Sequence, residues 1–145
     1  MKRISLFLWF DGKARQAAKF YTSIFKRSRI LESGDMSISF ELDGQEYIAF
    51  NGGPMFKFTP AMSLFVSCKD QKEVDYYWSA LSRGGKKGRC GWLTDKFGVS
   101  WQVVPQGLGH LLGGDDEEGA ARAMQAMLKM KKLEISKLRK AYEGK

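Results

Sequence analysis

Few side chains in this 145-residue chain are equipped for covalent or metal chemistry. There is one histidine, His110, in "GLGHLLGG", and two cysteines, Cys68 and Cys90. A Ser-His-Asp or Cys-His site needs a base beside its nucleophile, and a lone histidine near the C-terminal third offers little scope for one. Metal ions need several imidazole, thiolate or carboxylate ligands together, so His110 is expected at the surface or in a local turn. Cys90, flanked by Arg89 and Gly91, is expected as a small residue in a turn or edge strand, although a basic neighbour can activate a thiol. Glu41 and Glu46 flank the dipeptide Asp43-Gly44 and are expected as solvated hairpin charges. The glycine pairs in "FNGGP" and "RGGKKG" follow a strand of a hairpin and a helix, respectively. A nucleotide-binding glycine turn instead joins a strand to a helix within a parallel sheet. These glycines read as turns, and S-adenosylmethionine chemistry is not expected. No catalytic residue is assigned.

What remains for chemistry is aromatic and neutral polar. Trp9 and Trp92 fall in strand patterns, and Asn51 closes the strand "QEYIAFN". Such residues suit a mostly apolar pocket with a few orienting hydrogen bonds.

The elements that position them repeat. "ISLFLWF" (4–10) is a short apolar run suited to a buried strand, and Asp11 stands where a helix cap is expected. Ala14, Ala17, Ala18, Tyr21, Ile24 and Phe25 then recur at helical spacing. "SRILE", "DMSISFEL" and "QEYIAFN" follow as strands, the last two joined by Asp43-Gly44, a strong hairpin signal. After "GGPMFKFTPA" the pattern restarts: "MSLFVSC", Asp70 as a cap, and a helical stripe of Val74, Tyr77, Trp78 and Leu81. "RGG" ends that helix, and "GRCGWLTDKFGVSWQVVP" supplies strands around a turn at Asp95–Gly98. Two βαβββ modules, 4–52 and 62–105, make one α+β domain by internal duplication. Each thin module needs aromatic bulk to seal its core, which accounts for most of the 13% aromatic content.

Composition bounds the rest. A hydrophobic fraction of 43% excludes disorder. No apolar run approaches a bilayer span, the N-terminal run is too short for a signal peptide, and the two thiols are expected reduced. A cytoplasmic location follows as the expectation. The formal charge of +8 is concentrated in "LKMKKLEISKLRK" (128–140). A solvated helix face explains that run, and no binding to nucleic acid or membrane is expected.

"FLWFDGKARQAAKFYTSIF", "ISFELDGQEYIAFNGGP", "GWLTDKFGVSWQVVP" and "AMLKMKKLEISKLRKAY" together resemble the PhnB-like branch of the glyoxalase/bleomycin resistance/dioxygenase superfamily. That superfamily has the vicinal oxygen chelate fold, and the branch is often labelled 3-demethylubiquinone-9 3-methyltransferase. The resemblance implies paired βαβββ modules with curved mixed sheets around a cleft, assembled as a homodimer. It also implies that metal-using relatives place His, Glu or Gln on the first and last strand of each module. Here Ile4 or Leu6, Ile48, Ser63 and Gln102 stand at those positions. No metal and no cofactor are expected. The expected cleft set is Trp9, Asn51, Ser63, Trp92 and Gln102, and the expected ligand an unidentified small organic molecule. A metal-dependent lyase or isomerase is the alternative within the superfamily. Binding of nucleic acid or an acidic partner through the basic C-terminal helix is the alternative outside it.

From 106 to 145 the chain reads as a helical appendix. "GGDDEE" suits a helix N-terminus. Ala120, Ala123, Met124, Met127 and Leu128 form one apolar stripe, and Ile135, Leu138 and Tyr142 a second. Both stripes are expected to be buried.

Overall fold

The computed structural model describes residues 3–145. Strand β1 is Leu6–Phe10, in which Leu8 and Phe10 are buried while Phe7 is exposed, the alternation of a half-buried strand. Helix α1, Ala14–Ile24, buries Ala14, Ala17, Ala18, Tyr21 and Ile24 along one side. Asp11 does not cap it. The N-cap is Lys13, which makes no side-chain cap bond, and the Ala14 N–H donates to Asn51 Oδ1 at 2.8 Å. Gly12, at φ 75°, turns the chain before the helix begins, so Asp11 falls too early to reach the first helical amides.

Strands β2 (Ser28–Ser33), β3 (Ser37–Leu42) and β4 (Gln45–Asn51) complete the first sheet, in the order β1-β4-β3-β2. β1 pairs with β4 in parallel, and the other pairs are antiparallel. Asp43 and Gly44, at φ 48° and 87°, form the two-residue turn that the dipeptide predicts. Ile38, Phe40, Leu42, Tyr47 and Ala49 are buried with α1. Tyr47 stacks on Phe40 with centroids 5.1 Å apart, and burial pushes its phenol from 10.0 to about 12.

That shift has a testable sign. An unfolded tyrosine ionises before the folded one does, so the contribution of Tyr47 is intact below about pH 10 and is lost as pH rises toward 12. Urea unfolding near pH 11 should show about 1 kcal/mol less stability from this group than at pH 8. Tyr47→Phe should remove that part of the alkaline loss. An identical loss in the variant would contradict the assignment.

The second unit repeats the order of elements. β5 is Ser63–Cys68, α2 is Gln71–Ser82, β6 is Lys86–Lys87, β7 is Trp92–Thr94 and β8 is Ser100–Pro105. The sheet runs β5-β8-β7-β6, with β5 parallel to β8, matching the first sheet strand for strand. Asp70 caps α2 as expected: its carboxylate accepts from Glu73 N at 2.9 Å, and Glu73 Oε1 accepts from Lys69 N at 2.9 Å. Val74, Trp78 and Leu81 are buried on this helix. An α+β fold of βαβββ modules followed by C-terminal helices is what the sequence pattern predicts.

The chain divides into two compact units, one ending at Phe58 and the other running from Thr59 to Lys145. The C-terminal helices α3 (Leu108–Leu112), α4 (Glu117–Leu128) and α5 (Ile135–Glu143) belong to the second. Met130, Leu133 and Leu138 form a core with Val104, Leu108, Leu111, Ala126 and Met127. The segment before α5 is tied down by backbone and side chains alike. Cys90 N donates to Met130 O and Gly91 N to Lys131 O, both at 2.9 Å. Gln71 clamps the same segment, donating to Leu133 O and accepting from Ile135 N. The appendix therefore clasps its own module. The first apolar stripe is only partly used: Ala123 is buried, but Met124 and Leu128 remain exposed. α4 turns its Ala123 side inward, and the five-residue stripe is wider than the contact available to it.

Candidate ligand-binding face

Each sheet carries its helix on one face, and the functional question concerns the other. In the second unit Leu93, Trp101, Val103 and Cys68 are buried on the α2 side. The alternation places Ser63, Phe65, Trp92 and Gln102 on the opposite face. Gln102 is paired in register with Phe65 on β5 and with Trp92 on β7. An amide thus lies in a row between two aromatic residues. Its Nε2 donates to Ser63 Oγ at 3.1 Å, which leaves the amide oxygen free of protein donors. Phe65 is 60% exposed, while Val104, further along β8, is covered by the C-terminal core. The row offers aromatic side chains on either side of one oriented amide, with Ser63, Trp92 and Gln102 partly exposed.

Asp95 fixes this row from below. It is 3% exposed, and Oδ1 accepts from Phe97 N at 2.9 Å and Val99 N at 3.0 Å. Oδ2 accepts from the indole N–H of buried Trp101 at 2.9 Å. The turn that sets β7 against β8, and so Trp92 against Gln102, is closed by this carboxylate together with two backbone bonds, Asp95 N to Val99 O at 2.9 Å and Gly98 N to Asp95 O at 3.0 Å. The sequence reading recognised the turn but not this role of Asp95, whose only local signal is its place two residues before Phe97.

The other two members of the expected set do different work. Trp9 donates from Nε1 to Gly53 O at 3.0 Å, and its ring meets Phe50 and Phe56 edge-on at 5.1 and 5.0 Å. Gly52 allows that approach, since a Cβ there would run into the Trp9 ring. Asn51 spends its side-chain oxygen on α1. The structure thus brings Ser63, Trp92 and Gln102 together on one sheet, and places Trp9 and Asn51 in the first unit, with the Trp9 indole N–H and the Asn51 side-chain oxygen engaged.

Two further residues depart from expectation or confirm it. Glu46 is not a solvated hairpin charge: it is 5% exposed and accepts from the Ser5 hydroxyl at 2.6 Å. Its strand neighbours point it at the face away from α1, where β1 runs alongside and supplies Ser5. Glu41, directly opposite in register, is half-buried and 3.7 Å from Arg29. His110 is exposed on α3. Among the described residues no three His, Cys, Asp or Glu side chains gather as a metal-holding set. Cys68 is buried, and burial, reinforced by Glu73 and Asp70, pushes its thiol to about 12. It is no nucleophile at neutral pH.

A family model described as 3-demethylubiquinone-9 3-methyltransferase matches residues 2–104. The chain belongs to that family. It falls in the family's PhnB-like branch: it is 34% identical to a PhnB protein from Bacillus cereus, covering 71% of this chain and 99% of that one with a TM-score of 0.65. Two more distant structures share the fold. Protein PA1353 from Pseudomonas aeruginosa is 20% identical, covering 72% and 98% with a TM-score of 0.60. A glyoxalase/bleomycin resistance protein from Albidiferax ferrireducens T118 is 13% identical, covering 72% and 99% with a TM-score of 0.52. No curated protein matches the chain.

The methyltransferase in the family's description implies S-adenosylmethionine, and the residues present do not fit a Rossmann-type site for it. Among the described residues each sheet has a single parallel pair, and no glycine-rich turn leads from one of those strands into a helix. Gly52 and Gly53 follow β4 into a loop, while Gly84 and Gly85 follow α2. At the positions where the sequence resemblance implies metal ligands, Ile4 or Leu6, Ile48, Ser63 and Gln102 offer no anionic or imidazole group.

Proposed function

We propose that this family member is a small-molecule-binding protein that holds an uncharged, flat organic ligand on the face of its second sheet opposite α2. The observation that carries the reading is the Phe65–Gln102–Trp92 row, with Ser63 orienting the amide. A ring stacked on Trp92 or Phe65 gains apolar contact, and a donor on the ligand meets the free amide oxygen of Gln102. Trp9 and Asn51 act in this proposal by shaping the first unit rather than by touching the ligand. Enzymatic activity is left unassigned.

The protein is further proposed to be a cytoplasmic homodimer. Both cysteines are free, which suits a reducing compartment, and among the described residues no helix is long and apolar enough to cross a membrane. Phe7 and Phe65 are more than half exposed, each on the face of its own sheet opposite the helix, apolar surface that a second copy would cover. Nucleic acid is a weaker partner: Lys132 pairs with Asp75 at 2.9 Å and Lys137 with Glu134 at 3.0 Å, so part of the basic run is already neutralised.

A thermal-shift screen of metabolites and antibiotics tests the reading, because a ligand that binds only the folded state raises the melting temperature. At least one uncharged aromatic compound should raise it in the wild type. Gln102→Ala should weaken binding of that compound by about tenfold, the worth of one good hydrogen bond. An unchanged affinity in the variant would remove Gln102 from the site.

A further inference from the structure

The Phe65–Gln102–Trp92 row has a second, polar row beside it. The register sets Ser63 next to Ser100 on β8, and Ser100 opposite Thr94 on β7. These hydroxyl residues lie on the same side of the sheet as the aromatic row, about 7 Å along the strands. The face opposite α2 is therefore aromatic along one row and hydroxyl-bearing along the next. The Gln102–Ser63 hydrogen bond crosses from one row to the other. None of the six side chains is charged, and the nearest charge in register is Lys86, beyond Thr94 on the edge strand.

That crossing bond determines what the pair can still offer. Gln102 Nε2 donates to Ser63 Oγ at 3.1 Å. Among the described residues the Gln102 oxygen accepts from no protein donor, and the Ser63 hydroxyl gives its own proton to no protein acceptor. A hydroxyl that accepts one bond still has a proton to donate, and it rotates to do so. The free acceptor and the free donor lie close together, because the amide oxygen and nitrogen share one carbon. Turning the amide over exchanges the roles without changing the pattern. The hydroxyl then donates to the amide oxygen, its lone pair becomes the acceptor, and the amide N–H groups face outward. One donor beside one acceptor is offered in either arrangement.

The partner of such a pair carries the same two functions in reverse, on neighbouring atoms of a neutral group. A cyclic amide does so, since its N–H and C=O are adjacent, coplanar and held on one edge of the ring. We infer that the ligand of this face is a planar lactam, its amide edge read by Gln102 and Ser63 and its ring laid against Trp92 or Phe65. The inference rests on the proposed function and narrows its ligand from any flat uncharged compound to one class. An aromatic hydrocarbon leaves both polar groups of the pair unmatched, which costs affinity. A phenol must meet both from a single oxygen, whereas a lactam answers each with its own atom. The hydroxyl row also sets the orientation: the amide edge turns toward Ser63, and the hydrocarbon edge away from it.

The test titrates 2-quinolinone, its N-methyl derivative and 2-naphthol into the full-length protein, followed by amide and indole NMR. The lactam should give saturable shifts at residues 63–65, 92 and 100–102. N-methylation keeps the ring and the carbonyl but removes the donor, so that compound should bind about tenfold more weakly, the worth of one hydrogen bond. 2-Naphthol should also bind less tightly than the lactam. Gln102→Ala should erase the difference between the lactam and its N-methyl derivative, whereas Ser63→Ala should weaken both, since both carry the carbonyl. Ser63 is partly exposed, so its variant keeps the test available if Gln102→Ala fails to fold. Three results overturn the inference: equal binding of the N-methyl derivative, equal binding of 2-naphthol, or unchanged lactam affinity in the folded variants. Should these compounds bind the face without preferring the lactam, the proposed function stands and this inference alone falls. Should no uncharged aromatic compound bind it, both fall together.

Discussion

Replacing Asp95 with alanine is expected to destabilise the protein by about 4 kcal/mol, or roughly 10–15 °C in melting temperature. The carboxylate is 3% exposed and satisfies three donors: two backbone amides of its own turn and the indole of Trp101. Deleting it leaves those donors without partners, in a site that water reaches poorly. Each unsatisfied buried donor costs about 1–3 kcal/mol. Asp95→Asn should fall between the two proteins, since an amide keeps one acceptor but turns a second donor toward a group that already donates. The partner is identifiable by a double-mutant cycle. Trp101→Phe removes the indole donor, and its cost should be smaller by about 1–2 kcal/mol when Asp95 is already alanine. Denaturant unfolding of the four proteins measures this, and additive losses would show that the indole bond contributes nothing. Because the same turn sets Trp92 opposite Gln102, folded Asp95→Asn should also bind ligands of the second sheet less tightly.

Gly85→Ala is expected to cost about 3 kcal/mol, a large value for one added methyl group. Gly85 lies between α2 and β6, and its N–H donates to Ser82 O at 2.9 Å. A Cβ at this position would overlap the carbonyl oxygen of Thr94 and come within 2.9 Å of Asp95 Cα. Those are backbone atoms at the end of β7, held by the Asp95 turn, so neither side can yield by rotating a side chain. Gly109→Ala is the natural comparison: it lies within α3, and a Cβ there meets nothing within 4 Å. That variant should be unchanged or slightly stabilised, as expected for alanine in a helix. Similar losses in both proteins would rule out close backbone approach as the reason for glycine at 85.

Much of the fold was legible because its signals are local. Asp70 precedes its helix by one residue and caps it through Glu73. Asp43-Gly44 adopts the left-handed pair that a two-residue hairpin demands. The matching strand orders of the two sheets follow from a pattern that restarts at residue 62. What escaped depends on partners distant in sequence. Asn51 caps α1 from 37 residues away, so Asp11, the nearer carboxylate, was the natural expectation. Glu46 sits two residues past a solvated turn and looks exposed, until parallel pairing of β1 with β4 brings Ser5 beside it, 41 residues distant. The exposed Met124 and Leu128 carry the same lesson: helical periodicity marks an apolar stripe but not how much of it a partner covers. On the site, the placement of Trp92 beside Gln102 comes from the register of β7 on β8, and the engagement of the Trp9 indole by Gly53 is likewise a tertiary fact that no spacing announces.

The most direct measurement of the central claim maps the ligand. Amide and indole NMR shifts should be recorded as an uncharged aromatic compound from the thermal-shift screen is titrated into the wild-type protein. Saturable shifts should concentrate on residues 63–65, the Trp92 indole, and 100–104, with the Gln102 side-chain amide moving most. Shifts centred elsewhere, or a screen in which no uncharged compound raises the melting temperature, would contradict the assignment of this sheet face as the binding site.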